Sequence, residues 1–249
     1  LSLIIDDIIE ITEQKKLQEY LEKWLKEKIN FILKSLIDLR SLKESNSSIR
    51  ALAYQLYENN GVLKRDKVSE YLKKLGQDER KILRNLGVKF GRYHVFLFKL
   101  LKPEAVSLRI LLWKIYHQKS FNLKPPTFGL NFLENKDFKN KNFMLLCGFE
   151  NFDNYFVRID ILERLFVQII NTNPDGKAKI KLVPEMLNLL GCSKNNFSKL
   201  IQKMNYNIFE EKDEFYFKYN PTKQKIKKII NKSQKSDNPF HILKNINFK

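Results

Sequence analysis

The side chains best suited to binding a polyanion lie in the segment KNNFSKLIQK at 194–203. Apolar residues recur there at helical spacing, so one face of the predicted helix is buried and the other meets solvent. Lysine and amide side chains on the outward face suit backbone phosphates and base edges. The candidate nucleic-acid-binding residues on this helix are Lys194, Asn195, Asn196, Lys199, Gln202 and Lys203.

A second candidate is the aromatic stretch at 88–98, where Lys89 and Arg92 alternate with Phe90 and Tyr93. This mixture suits a single strand, because bases stack on aromatic rings while lysine or arginine follows the backbone. The alternative is that so aromatic a stretch packs into the core. We keep Lys89 and Arg92 as candidate nucleic-acid-binding residues and expect the neighbouring His94 to be a hydrogen-bonded core residue.

Motifs for catalysis are missing from the sequence. It contains no GxxxxGK[ST] phosphate loop, no GxSxG and no HExxH. Cys147 and Cys192 form no CxxC pair, and the three histidines are far apart along the chain. We therefore predict no catalytic residue, no metal ligand and no cofactor within this chain.

The elements predicted around the candidate helix follow the order of a winged helix-turn-helix. Winged helices also serve as protein-protein modules, and in that case the outward residues are ordinary solvated side chains. A recognition helix would enter a groove by its N-terminal end, which favours Lys194, Asn195 and Asn196. The predicted elements are a helix from Asp160 to Ile170 capped by Asp160, a turn at 173–176, a strand at 179–183, a helix from Pro184 to Leu190, the candidate helix capped by Ser193, and a hairpin at 207–219.

The fold class predicted for the whole chain is mostly α. Periodicity predicts one long helix from Thr12 to Leu39 and a helix from Pro103 to His117 that is central to the first core. Proline, glycine and scattered polar residues mark the best domain boundary. The predicted parts are a helical bundle domain at 1–120, a linker at 121–143, a small winged-helix-like α+β domain at 144–220 and a basic flexible tail at 221–249.

The charge favours a polyanionic partner. Lysine and arginine total 46 against 28 acidic residues, a formal charge of +18. The alternative is that an A/T-rich genome inflates the lysine content. No apolar run approaches the roughly 18 residues that a membrane span needs, and the N-terminus lacks the features of a signal peptide. We expect a cytoplasmic protein with no membrane partner.

Residues 50–113 are similar to the C-terminal region of bacterial superfamily 2 helicases, which are related to the mitochondrial degradosome RNA helicase. The similarity rests on a helix that starts at Arg50 and a GVKFGRYH stretch at 87–94, followed by LLKP at 100–103. It departs from the family pattern at Asn60 and at Phe98, where an apolar residue and a proline are typical. It continues through VRIDILERL at 157–165, LLGCS at 189–193 and DNPFHILKNI at 237–246.

This resemblance implies an accessory segment of a longer, ATP-dependent helicase. Two motor lobes that bind ATP and Mg would precede Leu1, where the chain begins inside an apolar run. The segment would hold or orient a DNA or RNA strand beside those lobes, and the aromatic stretch at 88–98 favours a single strand. The alternative is a protein-interaction platform that docks a partner such as a nuclease and makes no contact with nucleic acid.

Overall fold

The computed structural model describes residues 3–4, 10–42, 47–117, 122–135, 140–173, 178–211 and 214–220. The described residues up to Tyr219 belong to one compact body. The basic tail predicted at 221–249 lies outside the described residues, as do residues 174–176 of the turn predicted at 173–176. Within the described part the chain is mostly α with some β, as predicted.

The described residues form ten α-helices and nine short strands. The helices are α1 (Ile11–Ile32), α2 (Lys34–Arg40), α3 (Ser47–Glu58), α4 (Ser69–Lys74), α5 (Gln77–Asn85), α6 (Pro103–Tyr116), α7 (Lys141–Leu146), α8 (Ile159–Thr172), α9 (Pro184–Leu190) and α10 (Lys194–Lys203). The strands are β1 (Val62–Lys64), β2 (Val88–Phe90), β3 (His94–Leu97), β4 (Phe132–Glu134), β5 (Phe149–Phe152), β6 (Tyr155–Arg158), β7 (Ile180–Lys181), β8 (Tyr206–Glu211) and β9 (Glu214–Tyr219).

The long N-terminal helix differs from the prediction. It breaks at Leu33, which separates α1 from α2, and α1 has no buried residue. Apolar residues at helical spacing predict one buried stripe along this stretch, and of its members only Leu36 is buried, whereas Trp24 is exposed. The members of this stripe are Leu17, Leu21, Trp24, Leu25, Ile32 and Leu36. Periodicity identified an amphipathic helix correctly, but it could not show whether another element covers the apolar face.

Three consecutive parts of the chain share one plan, and we call them the first module (47–97), the second module (103–158) and the third module (159–219). Each begins with a helix and ends in a β-hairpin. Each also contains an antiparallel three-stranded sheet in which the third strand lies between the first and the second. The strand orders are β1-β3-β2, β4-β6-β5 and β7-β9-β8.

The three hairpins start in the same way. A residue with a left-handed backbone directly precedes the first hairpin strand in each module: Gly87 at φ 91°, Gly148 at φ 89° and Asn205 at φ 67°. Glycine and asparagine are the residues that adopt this conformation most readily, so the turn from helix into hairpin is encoded locally. The recurrence of both strand order and turn shows that the modules repeat one supersecondary plan.

The second module includes part of the predicted linker. Strand β4 lies within 121–143 and pairs with β6, so these residues extend the sheet of the second module. The division of the chain at this range stays a prediction. Helix α6 opens the module with Pro103 in its first turn, as predicted.

The position of α6 only partly matches the expectation of a central core helix. Val106 and Ile110 are buried, but Leu111 and Ile115 are exposed. Its buried Arg109 donates to the carbonyls of Asn60 at 2.8 Å and Leu100 at 2.6 Å. The helix is thus fixed to the first module on one face and uncovered on the other. Among the described helices, none combines the length and apolar character needed to cross a bilayer.

Candidate nucleic-acid interface

Helix α10 is positioned by its cap and its apolar face. The Ser193 hydroxyl accepts a hydrogen bond from the backbone N–H of Asn196 at 3.3 Å, as the predicted cap requires. Phe197, Leu200 and Ile201 are buried, and the ring centroid of Phe197 lies 5.8 Å from that of Phe217 on β9. The helix therefore packs on the third sheet by the predicted face.

The opposite face of α10 presents the predicted candidates to solvent. Lys194, Asn195, Lys199, Gln202 and Lys203 are exposed, and Asn196 is half-buried. Six of the eight candidates thus share one helix, and the helical spacing places the five exposed ones along one side of it.

Two lysines of α10 already have partners. Lys194 Nζ lies 3.6 Å above the ring of Phe215, and Lys203 Nζ lies 2.8 Å from a carboxylate oxygen of Asp153. Hydrogen bonding to Asp153 raises the pKa of Lys203. Both partners of that ion pair are exposed, so the pair contributes little to stability and could yield to a phosphate.

Strand β7 and the lysine before it offer less positive charge than their composition indicates, because hairpin glutamates pair with them. Lys179 pairs with Glu211, and Lys181 pairs with Glu214. Within the described residues, Lys199 forms no such ion pair. Lys199 therefore remains available to an anionic partner, as do the exposed Arg164 on α8 and Lys218 on β9.

Arg92 and Lys89 lie apart from α10 in the first module. Lys89 is exposed on β2, while Arg92 follows in the turn before β3. The guanidinium of Arg92 lies 5.5 Å from the ring centroid of Phe166 on α8. It also lines a pocket with Tyr206 of the hairpin β8–β9, so Arg92 contacts the third module and Lys89 does not line that pocket.

Sequence reasoning missed a buried ionic cluster that joins the three modules. His94 belongs to the first module, Glu150 to the second and Glu163 to the third. His94 Nε2 lies 2.6 Å from Oε2 of Glu150, and Nδ1 lies 3.3 Å from Oε1 of Glu163. His94 is 1% exposed, as expected for a core residue, but nothing local indicated its two acidic neighbours.

Further hydrogen bonds satisfy the two carboxylates. Lys64 Nζ donates to Oε1 of Glu150 at 2.6 Å. Glu163 accepts the backbone N–H groups of Tyr93 at 2.9 Å and His94 at 2.8 Å, and also that of Arg92. With His94 protonated, two cations balance two anions. A glutamate inside an otherwise apolar strand or helix face was the one signal in the sequence.

The cluster shifts the pKa values of its members. Burial alone lowers the pKa of His94, but hydrogen bonds to Glu150 and Glu163 outweigh it and raise the pKa above its ordinary 6.5. Burial alone raises the pKa of Glu150, but hydrogen bonds to His94 and Lys64 prevail and lower it below 4.5. The cluster is therefore a structural ion network that favours the protonated form of His94.

Stability should fall with rising pH because of His94. A raised folded-state pKa means that the protonated ring stabilises the fold fully below the unfolded pKa, and that this contribution is lost as pH rises through the folded pKa. Urea unfolding between about pH 6 and about pH 9 should show wild type losing stability faster than His94→Gln, by up to about 1.4 kcal/mol per pH unit. Parallel pH profiles for the two proteins would contradict a charged His94.

The two cysteine thiols are not activated for chemistry. Burial raises the pKa of Cys147 to about 12 and that of Cys192 to about 11, so neither thiol is an activated nucleophile. The described residues contain no group of His, Cys, Asp or Glu arranged to hold a metal ion. Comparison of the chain with family models, curated proteins and solved structures gave no match.

Proposed function

We propose that this chain holds a strand of nucleic acid on the outward face of α10. The observation that carries the proposal is that five exposed candidates lie along one side of α10, while Lys179 and Lys181, at the neighbouring strand β7, are paired with glutamates of the hairpin. Lysines suit phosphates, and amides suit base edges. Binding of this kind is mainly electrostatic and has little base specificity.

The topology of the third module supports the proposal. Its elements run α8, β7, α9, α10 and the hairpin β8–β9, with strand order β7-β9-β8. We propose that this module is winged-helix-like, with α10 as its recognition helix and β8–β9 as its wing. In such modules the recognition helix approaches nucleic acid by its N-terminal end, which here carries Lys194 and Asn195.

We further propose that the chain belongs to a larger, cytoplasmic helicase. The support is the resemblance of residues 50–113 to the C-terminal region of bacterial superfamily 2 helicases. In that context ATP and Mg act in motor lobes outside this chain, and the segment holds or orients DNA or RNA beside them. The partners are then a nucleic acid strand and the motor lobes themselves.

Salt dependence tests the binding proposal. Affinity of the full chain for a single-stranded oligonucleotide should fall steeply as salt rises, because each phosphate contact releases counterions. The logarithm of affinity should fall linearly with the logarithm of salt concentration. If no binding is detected even at low salt, the proposal that α10 holds nucleic acid is contradicted.

Reversing two charges on α10 should weaken this binding. Lys194→Glu with Lys199→Glu should reduce the salt slope by about 1.4, since each single-strand phosphate contact contributes about 0.7. Fluorescence anisotropy with a labelled oligonucleotide measures the slope. A matched control is Lys73→Glu with Lys81→Glu, two exposed lysines of the first module with the same total charge change. An equal loss in both double variants would mean that net charge, not α10, drives binding.

A protein-interaction platform is the second candidate function, and the exposed apolar side chains favour it. Leu111, Ile115 and Tyr116 on α6 are exposed, as are Tyr20 and Trp24 on α1. An uncovered apolar surface is typical of docking sites, for which a nuclease is one candidate partner. This function predicts no oligonucleotide binding at any salt concentration, so the salt experiment separates the two.

A further inference from the structure

A pocket of about 190 Å³ opens where the first and third modules meet. It lies between the turn that carries Arg92 and Tyr93, helix α8 and the hairpin β8–β9. It is smaller than the roughly 300–1,000 Å³ pockets that take drug-sized ligands. Its size therefore suits one small flat group better than an extended ligand.

Aromatic rings form the walls of this pocket. Tyr93 packs edge-on against Phe166 with ring centroids 5.3 Å apart, and Tyr206 packs against Tyr219 at 5.2 Å. The floor is apolar and consists of Ile169, Ile180 and Met204. Tyr219 lines the pocket and is 41% exposed, so its side chain is accessible to an incoming group.

The charge of the pocket is confined to its rim. Burial raises the pKa of Tyr93 and of Tyr206, so both phenols stay neutral. Among the lining residues Arg92 alone carries a charge, and its side chain is exposed. A ligand that fits has a flat neutral body and a negative group beside it.

We infer that the pocket receives one unstacked base of a single strand, with Arg92 on a flanking phosphate. A nucleotide within a strand combines a neutral planar base with adjacent phosphates, which is the chemistry that the rings and the rim cation offer. This inference rests on the proposed function and deepens it, because it adds a base-stacking contact to the electrostatic surface of α10. Apart from Arg92 and Tyr93, the residues that line the pocket belong to the same module as that surface.

Two oligomers separate base stacking from phosphate binding. Full-chain protein is titrated with oligothymidylate and with an abasic oligomer of equal length, which keeps the phosphates but has no bases. Wild type should bind oligothymidylate about 5- to 150-fold more tightly, the gain expected from stacking one base. This comparison needs no variant, so it is unaffected by any folding defect.

Substitutions of Tyr219 then test whether the preference for oligothymidylate arises in this pocket. Tyr219→Ala should lose most of the preference for oligothymidylate and keep its affinity for the abasic oligomer, while Tyr219→Phe retains the preference. Tyr54→Ala, which removes a tyrosine 61% exposed on α3, is the matched control and should change nothing.

Each other outcome overturns the inference. If wild type binds the two oligomers with equal affinity, the pocket does not receive a base, and the proposal that α10 binds phosphates still stands. A preference that survives Tyr219→Ala places the stacking elsewhere. If neither oligomer binds, the proposed function is contradicted together with the base pocket.

Discussion

Glu163→Ala should lower the free energy of unfolding by about 3–5 kcal/mol, the cost of removing one member of a buried ion network. The carboxylate accepts three backbone N–H groups and faces His94. Alanine would leave those donors without an acceptor and His94 with one carboxylate in place of two. Urea denaturation at neutral pH measures the loss.

Two further variants test the cause. Glu163→Gln retains one acceptor oxygen but loses the charge, so its stability should fall between that of wild type and that of Glu163→Ala. Glu185→Ala removes an exposed glutamate from the same module and should change the free energy of unfolding by less than about 0.5 kcal/mol. If Glu163→Ala were no more harmful than Glu185→Ala, the cluster would not join the modules.

Gly91→Ala should cost about 3 kcal/mol, although alanine adds only one methyl group. An added Cβ would lie 2.6 Å from Oε1 of Glu163 and closer still to its other carboxyl atoms. The carboxylate cannot retreat without releasing the N–H groups of Tyr93 and His94. Glycine is thus required here by close approach, and the chain must distort the turn or break the network to accept alanine.

A double-mutant cycle separates this clash from a general effect on the turn. In a Glu163→Ala background the obstructing carboxylate is gone, so Gly91→Ala should cost about 1 kcal/mol or less. The coupling energy should be about 2 kcal/mol, within the range for residues in contact. Additive costs in the cycle would mean that Gly91 serves the turn through its backbone alone.

Both predictions bear on function through the same turn. Glu163 fixes the backbone of Arg92 and Tyr93, whose side chains line the aromatic pocket. If the turn loosened, the guanidinium of Arg92 and the ring of Tyr93 would both leave their positions in the pocket. Variants of Glu163 that still fold are therefore expected to bind oligothymidylate less tightly.

Elements encoded by local signals were predicted well from the sequence. Ser193 caps α10, Gly191 ends α9 in a left-handed conformation, and Pro103 opens α6. The buried face of α10 followed from helical spacing alone. These features depend on residues within a few positions of one another, which is why a single sequence is sufficient.

Features that depend on distant residues were predicted poorly. Strand β1 has only three residues, and it exists because Leu63 pairs with Val95 far along the chain. Asp160 was expected to cap α8, but its carboxylate instead takes two hydrogen bonds from Arg158, at 2.7 and 2.9 Å. A guanidinium two residues earlier competes better than the backbone for that carboxylate. The ionic cluster could not be predicted from the sequence, because its members come from three different modules.

The repeated plan was also hidden, because loop lengths and side chains differ among the modules. Strand order depends on pairing, and pairing is non-local. The left-handed residue before each hairpin is the one part of the plan that depends on local sequence. Glycine occupies two of those sites and asparagine occupies the third. Three sites of two residue types are too few to reveal a repeat without coordinates.

Strand β6 ends at Arg158 and helix α8 begins at Ile159, so no residue lies between the second and third modules. The N–H of Arg158 donates to Asn131 and that of Ile159 to Gly148, each at 2.9 Å, which ties both sides of this joint to the second module. Such a joint cannot swivel without breaking these bonds. Any rotation of the second module would therefore move the third module with it, together with a strand bound on α10 as proposed above.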